Sequence, residues 1–170
     1  MGNLAEQPGI GALLESRLKG VVVIAGIGNP LRGDDGAGPR FLSILKKRLE
    51  NLAVRPSVHL MNCRETPENY FRPIARLRPD TVILVDCASL GLAPGQLRIV
   101  EAGDLCEHNP STHGISPALF MNRLKQETAA DVFMIAVQPA TTSFREPLSQ
   151  PVTRALTELA SLVEGVMGRT

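Results

Sequence analysis

The chain has 170 residues, of which 44% are hydrophobic, and a formal net charge of +1. This length fits a single domain with a sizeable core, and the near-zero charge excludes an electrostatic case for nucleic acid or an anionic membrane as partner. Three cysteines without a CxxC motif argue against a disulfide framework or a structural zinc site. Because we find no bilayer-spanning apolar stretch and no signal peptide, we expect a cytoplasmic protein without membrane insertion.

The first part of the chain looks like an addition to the domain. Ile10, Leu13, Leu14 and Leu18 have helical spacing, which predicts a short amphipathic helix. Whether this helix packs on the domain or stays loose is left open by the pattern. We therefore divide the chain into an N-terminal extension, residues 1–20, and one α/β domain, residues 21–170.

Residues 21–38 read VVVIAGIGNPLRGDDGAG. The β-branched run at the start predicts a buried strand, and the glycine-rich turn leads into an apolar helical rhythm that predicts a helix from about residue 36 to 51. A strand, a tight turn and a helix form the first half of a βαβ unit. In open α/β sheets, sites form at the carboxyl ends of the strands, which is where this loop lies.

Two adjacent acids, Asp34 and Asp35, stand at the start of that helix. One of them is expected to cap the helix, because aspartate accepts bonds from the free N–H groups of the first turn. One acid is enough to cap the helix, so the second is a candidate for a catalytic or ligand-binding role. The loop lacks a GxxxxGK[ST] motif, and two carboxylates would repel a phosphate, so a cation is the better partner.

The next elements also end in polar residues. A short second strand is predicted at about residues 58–61, followed by a loop that carries Asn62, Cys63 and Arg64, and then by a short helix. The strongest strand is TVILV, residues 81–85, and Asp86 follows it at once. An acid at the end of a buried strand is costly without a role, so Asp86 either ties a loop or acts as a ligand or acid/base.

The rest of the chain completes an alternating pattern. Residues 97–100 predict an edge strand, which we expect to be antiparallel because it follows the LAPG turn. A helix is predicted to begin at Ser116, with Pro117 in its first turn, and residues 132–137 predict a buried strand. A last helix is predicted at about residues 151–167. Strands that alternate with helices predict an α/β sandwich, mostly parallel, with helices on both faces.

His113 lies in a loop before a helix, between Thr112 and Gly114. A single histidine in a loop is most often a surface residue without a chemical role, but this one can reach the same edge of the sheet as Asp35 and Asp86. Two carboxylates and one imidazole would leave coordination positions open for an external group. Cys87, next to Asp86, is better explained as a core residue than as a nucleophile.

Four segments, GIGNPLRGDDGAGP, VILVDCASLGLAPGQLRIV, STHGISPALF and FMIAVQP, resemble the hydrogenase maturation endopeptidases, particularly the branch for formate-hydrogenlyase-type [NiFe]-hydrogenases. The resemblance covers residues 21–165. It implies a three-layer sandwich around a twisted, mostly parallel five-stranded sheet, of the phosphorylase/hydrolase-like type. It also implies that Asp35, Asp86 and His113 bind a nickel ion supplied by the substrate. For the cleavage step two possibilities stay open: the metal polarises the scissile carbonyl, or a catalytic carboxylate, Asp35 or Asp86, activates water.

The implied substrate and partner is the large-subunit precursor, whose C-terminal extension is removed after nickel insertion; the protease itself is expected to be a monomer. The family often has Asp-Gly-Gly after the second strand, where this chain has Asn62, Cys63 and Arg64. Asn62 and Arg64 are therefore the candidate substrate-binding residues. Two alternatives remain: a non-catalytic chaperone that checks the precursor for nickel, and a hydrolase like peptidyl-tRNA hydrolase, which shares only the G-x-G-N-P turn.

Overall fold

The computed structural model describes residues 9–50, 57–105 and 116–168. Its strands are β1 (Val22–Ile27), β2 (Val58–Arg64), β3 (Thr81–Cys87), β4 (Leu97–Val100) and β5 (Asp131–Val137). Its α-helices are α1 (Ile10–Arg17), α2 (Ala37–Leu49), α3 (Phe71–Arg76), α4 (Pro117–Thr128) and α5 (Gln150–Met167). Short 3₁₀ turns precede α2, at Gly33–Gly36, and α3, at Pro67–Tyr70.

The five strands form one sheet in the order β2-β1-β3-β5-β4. Every neighbouring pair is parallel except β4 with β5, which is antiparallel at the edge. The predicted fold class and the antiparallel edge strand are confirmed. The chain leaves β1 for β2 on one side and then crosses back to β3 on the other, so the carboxyl ends of β1 and β3 flank the point at which the strand order reverses.

Helices cover both faces of this sheet. On one face α1, α2 and α5 pack against alternate strand residues such as Ile24, Ile83 and Ile135. On the other face α3 and α4 pack against the intervening residues, such as Ala25 and Leu84. The strands are buried on both sides, which explains why they appear as continuous aliphatic runs. None of the described helices is long and apolar enough to cross a membrane.

Two strands extend further than the local sequence indicates. The expectation that β2 ends before Asn62 is wrong, since the strand continues to Arg64, which pairs with Ile27. Likewise β3 includes Asp86 and Cys87, because β5 continues beside them and pairs with both. These polar residues are typical of loops, but they stay in strands here because the backbone of a neighbouring strand forms hydrogen bonds with them.

Helix α1 is part of the core. Ile10, Leu14 and Leu18 belong to the same buried cluster as α5, so this portion of the N-terminal extension packs on the domain. At its end, Arg17 pairs with Asp131 at 2.5 Å and with Glu101, and its guanidinium lies 3.9 Å from the centre of the Phe133 ring. The helix is therefore held by apolar packing and by a charged contact with β5. The boundary at residue 20 stays a prediction.

The ion pair between Arg17 and Asp131 predicts a pH-dependent contribution to stability. The hydrogen bond from Arg17 lowers the pKa of Asp131. A lowered pKa in the folded state gives stability that is present above the unfolded pKa, about 4, and is lost as the pH falls through the folded value. Asp131→Asn should therefore be less stable than wild type at pH 7, and the gap should shrink towards pH 3. Urea denaturation across this range tests it; a constant gap would contradict it.

Candidate active site

The turn after β1 brings helix α2 unusually close to the sheet. A Cβ added at Gly38 would lie 2.5 Å or less from the backbone of Ile27 and Val85, and one at Gly26 would lie 2.6 Å from the carbonyl oxygen of Gly38. Gly28 has φ +124°, and a Cβ there would lie 1.8 Å from the carbonyl oxygen of Asp35. The glycines are needed because backbone passes against backbone here. They hold the start of α2 over the ends of β1 and β3.

Asp35 occupies this tight turn and is only 8% exposed. The backbone N–H of Asn29 donates a hydrogen bond of 2.9 Å to its Oδ2 atom. The carboxylate is thus oriented by the loop that precedes it. Because the contact fixes the position of one carboxylate oxygen, it suits an acid whose other oxygen acts as a ligand or accepts a proton.

Asp86 lies in β3 beside the end of β1 and is also 8% exposed. Its Oδ1 atom accepts a 2.7 Å hydrogen bond from the backbone N–H of Cys87. The same Oδ1 atom would lie 3.8 Å from a Cβ at Gly28, the residue packed against the backbone of Asp35. The fold therefore brings Asp35 and Asp86 to neighbouring positions around Gly28, at the predicted edge of the sheet.

Asp34 has a different task. It is fully buried, and its carboxylate accepts hydrogen bonds from the N–H groups of Ala140 (2.7 Å), Thr141 (3.2 Å) and Ser149 (2.7 Å) and from the Ser149 hydroxyl (2.9 Å). The predicted capping role is wrong for both acids, since the N-cap positions are Arg32 and Gly36. Asp34 instead clamps the loop between β5 and α5, residues 138–149, to the loop after β1.

Sequence reasoning missed this clamp and the role of Asn29 as a donor to Asp35. The available signal was the pair of adjacent acids, because neighbouring residues in a 3₁₀ turn project about 120° apart and so meet different surroundings. The partners of Asp34 lie more than 100 positions away along the chain, and no local pattern identifies them.

The cysteine next to Asp86 is poorly suited to nucleophilic catalysis. Burial, and then the negative charges of Asp86, Asp35 and Asp34, raise the pKa of the Cys87 thiol well above its ordinary value. The thiolate is the reactive form of cysteine, so Cys87 stays protonated at neutral pH. Cys63 is fully buried, as a core cysteine is expected to be, and burial raises its pKa to about 12.

The third predicted ligand, His113, lies outside the described residues. Within residues 9–50, 57–105 and 116–168, no group of three or more His, Cys, Asp or Glu side chains is arranged to hold a metal ion. The described part of the site therefore consists of two carboxylates, and its role as a metal site stays a prediction. Carboxylate oxygens suit divalent cations, and the donor set fits a role in which the remaining ligands come from elsewhere.

Asn62 and Arg64 end β2 on the far side of β1, and both side chains are exposed. The register between β1 and β2 shifts at Gly26/Ile27, so that Ile27 pairs with Arg64. Arg64 has φ +50°, and its carbonyl oxygen accepts a 2.8 Å hydrogen bond from the N–H of Gly28. This irregular end of β2 therefore adjoins the glycine turn at the site. Substrate binding by the two side chains stays a prediction.

Comparison with known proteins gives a consistent result. Residues 42–166 match the family model HycI, described as hydrogenase maturation protease. The chain is 30% identical over 149 residues to the hydrogenase 3 maturation protease of Escherichia coli strain K12, covering 86% of this chain and 90% of the relative.

Solved structures agree with this match. The crystal structure of the [NiFe] hydrogenase maturation protease HycI from Thermococcus kodakarensis KOD1 has a TM-score of 0.81 and 32% identity, covering 91% of this chain and 98% of the other. The hydrogenase maturating endopeptidase HybD from E. coli has a TM-score of 0.64 and 19% identity, with 84% and 88% covered, and shows likeness of fold alone.

Proposed function

The chain belongs to the hydrogenase maturation protease family, and on this premise we propose that it is a nickel-dependent endopeptidase for the large-subunit precursor of a [NiFe]-hydrogenase. It removes the C-terminal extension of the precursor after nickel insertion, and the nickel ion held by the substrate is the recognition signal. The observation that supports the proposal is that Asp35, in the turn before α2, and Asp86, near the end of β3, adjoin the same residue, Gly28.

Nickel in this scheme is cargo of the substrate. Asp35, Asp86 and His113 would contribute ligands to an ion that the precursor already binds, so a precursor without nickel would lack the contact that aligns its tail. Three protein ligands leave several coordination positions to the substrate or to water, and the affinity of the protease for free nickel is then weak. A weak site can detect nickel in the precursor without removing the ion from it.

The two carboxylates have a second role in peptide hydrolysis. A water molecule must lose a proton as it attacks the scissile carbonyl carbon, and a positioned carboxylate accepts that proton as general base. Asp35 is oriented by the N–H of Asn29 and Asp86 by the N–H of Cys87, which fixes one oxygen of each group. The amine of the departing extension then takes up a proton. We assign this acid/base work to the pair, and the nickel, when bound, polarises the carbonyl.

The two alternatives from the sequence lose support. The family consists of proteases, which favours cleavage over a purely chaperone-like check of the precursor. The similarity to hydrogenase maturation proteases extends over most of the chain, whereas the likeness to peptidyl-tRNA hydrolase is confined to one turn. A monomeric state and a cytoplasmic location stay predictions.

The test uses one large-subunit precursor in two states, loaded with nickel and free of nickel. Each is incubated with the protease and measured by intact mass. We expect the mass of the C-terminal extension to be lost from the loaded precursor alone. Equal cleavage of both states would contradict the nickel dependence, and cleavage of neither would contradict the choice of substrate.

A further inference from the structure

Large apolar side chains are rarely exposed in the described part of this chain. Three are: Leu31 at 61%, Leu119 at 58% and Phe144 at 58%. Leu31 lies in the loop after β1, and Phe144 in the loop between β5 and α5. Exposed apolar side chains that cluster beside a site often mark an interaction surface. We call Leu31, Arg32, Phe144 and Arg145 the rim patch.

The two loops that carry the rim patch are bonded to each other at several points. The N–H of Arg145 donates to the carbonyl of Leu31 at 2.7 Å, and the N–H of Gly33 donates to the carbonyl of Glu146 at 3.1 Å. Beneath them the buried carboxylate of Asp34 holds the second loop by four further hydrogen bonds. Leu31 and Phe144 are therefore presented by one fixed surface, although they are far apart in sequence.

Arg145 supports the view that this surface is constrained. Its φ is +66°, a left-handed conformation that is unfavourable for a residue with a Cβ and persists only where the surroundings hold it. The N–H bond to Leu31 and the clamp at Asp34 supply such a constraint.

The rim patch is connected to the proposed catalytic carboxylates by hydrogen bonds within the loop after β1. The N–H of Leu31 donates to Oδ1 of Asn29 at 2.9 Å, and the N–H of Asn29 donates to Oδ2 of Asp35 at 2.9 Å. Only one residue separates Leu31 from the residue that orients Asp35. A polypeptide whose scissile bond lies at Asp35 and Asp86 would therefore pass over or beside Leu31 and Phe144.

The positive charge of the rim patch limits which side chains of a bound polypeptide are favourable there. Arg32 and Arg145 are exposed, and within the described ranges neither forms an ion pair. The Arg145 guanidinium lies 5.4 Å from the centre of the Phe144 ring, so cation and apolar surface are adjacent. Glu146 is exposed in the same loop and offsets one of the two positive charges. Arginine pairs with carboxylates through two parallel hydrogen bonds, which makes an acidic side chain the complementary group.

We propose that the rim patch is the docking surface for the precursor polypeptide next to the cleaved bond. It takes an apolar side chain of the substrate against Leu31 and Phe144, and a neighbouring carboxylate side chain against Arg32 and Arg145. This inference rests on the proposed function, because it names how the substrate of that same site is held. It assigns the rim patch to substrate affinity and leaves the chemical step to Asp35 and Asp86.

The test measures kcat and KM on the nickel-loaded precursor for the double variant Leu31→Ser, Phe144→Ser. Loss of two apolar contacts at an interface should raise KM by about tenfold or more, with kcat within about threefold of wild type, because uniform binding is lost. The matched control is Leu119→Ser, equally exposed but in neither loop, and its KM should not change. Thermal unfolding of both variants should match wild type, since all three side chains are exposed.

A second variant tests the charged part. Arg145→Asn keeps a residue that tolerates positive φ and removes the cation, and it should raise KM several-fold, with a smaller effect at high salt. Arg76→Asn, exposed in the last turn of α3, is its control. A KM unchanged from the controls, or a fall in kcat without a rise in KM, would overturn the proposal.

The readout also separates the two proposals. If wild-type protein fails to cut the loaded precursor, the proposed function fails, and binding of the same precursor is then measured directly by titration calorimetry. Weaker binding by the Leu31→Ser, Phe144→Ser variant than by Leu119→Ser would still support the rim patch. Equal binding by the two would overturn it.

Discussion

Replacing Asp86 by asparagine should lower the rate of tail removal by about 10²- to 10⁴-fold, the range typical for loss of a positioned acid/base group. Asparagine has nearly the same shape as aspartate, and its carbonyl oxygen can still accept a hydrogen bond from the N–H of Cys87. In wild type this N–H donates to Oδ1 of Asp86 at 2.7 Å. The fold should therefore persist. The amide neither accepts a proton from water nor brings a negative charge to nickel, so both proposed roles are lost together.

The measurement is the initial rate of mass loss from the nickel-loaded precursor. Asp35→Asn and His113→Ala should behave in the same way, because both belong to the predicted ligand set. Asp80→Asn is the matched control: Asp80 immediately precedes the same strand at its amino end, where its Oδ2 atom accepts the N–H of Val21 at 2.7 Å. This control should process the precursor like wild type. Full processing by Asp86→Asn would refute the assignment.

Replacing Asp34 by alanine should lower the free energy of unfolding by about 3 kcal/mol, because a buried N–H that loses a charged acceptor costs roughly 1–3 kcal/mol. Three backbone N–H groups and one hydroxyl would lose their acceptor at once. The clamp between the two loops would open, and the rim patch would lose its support. Activity should therefore fall along with stability.

Urea denaturation at pH 7 measures this effect. Asp104→Ala provides a control at an exposed acid: the Asp104 carboxylate accepts the N–H of Glu101 at 2.9 Å in a capping box of a short 3₁₀ turn, Ala102–Asp104. Loss of such a cap should cost about 1 kcal/mol. If Asp34→Ala were no more destabilising than Asp104→Ala, the four hydrogen bonds would not stabilise the fold as argued.

Much of the architecture is predictable from local patterns. Aliphatic runs such as residues 81–85 identify the buried strands, and the spacing of apolar residues identifies α5 to within a residue of its observed start at Gln150. Strand ends are less predictable. β2 continues to Arg64 because β1 lies beside it, and a hydrogen-bonding partner from another part of the chain is not visible in the sequence of β2 itself.

The sequence by itself determined the strand–turn–helix unit, the aliphatic core and the presence of acids at two strand ends, since each depends on residues within a few positions of one another. It also carried the motifs by which the family is identified. Only the tertiary structure decided what surrounds each of the two adjacent acids. Asp34 binds a loop more than 100 residues away, while Asp35 shares the surroundings of Gly28 with Asp86. The reason is that the fate of a buried carboxylate depends on which N–H groups surround it, and those groups come from distant segments that only the packed sheet and its helices bring together.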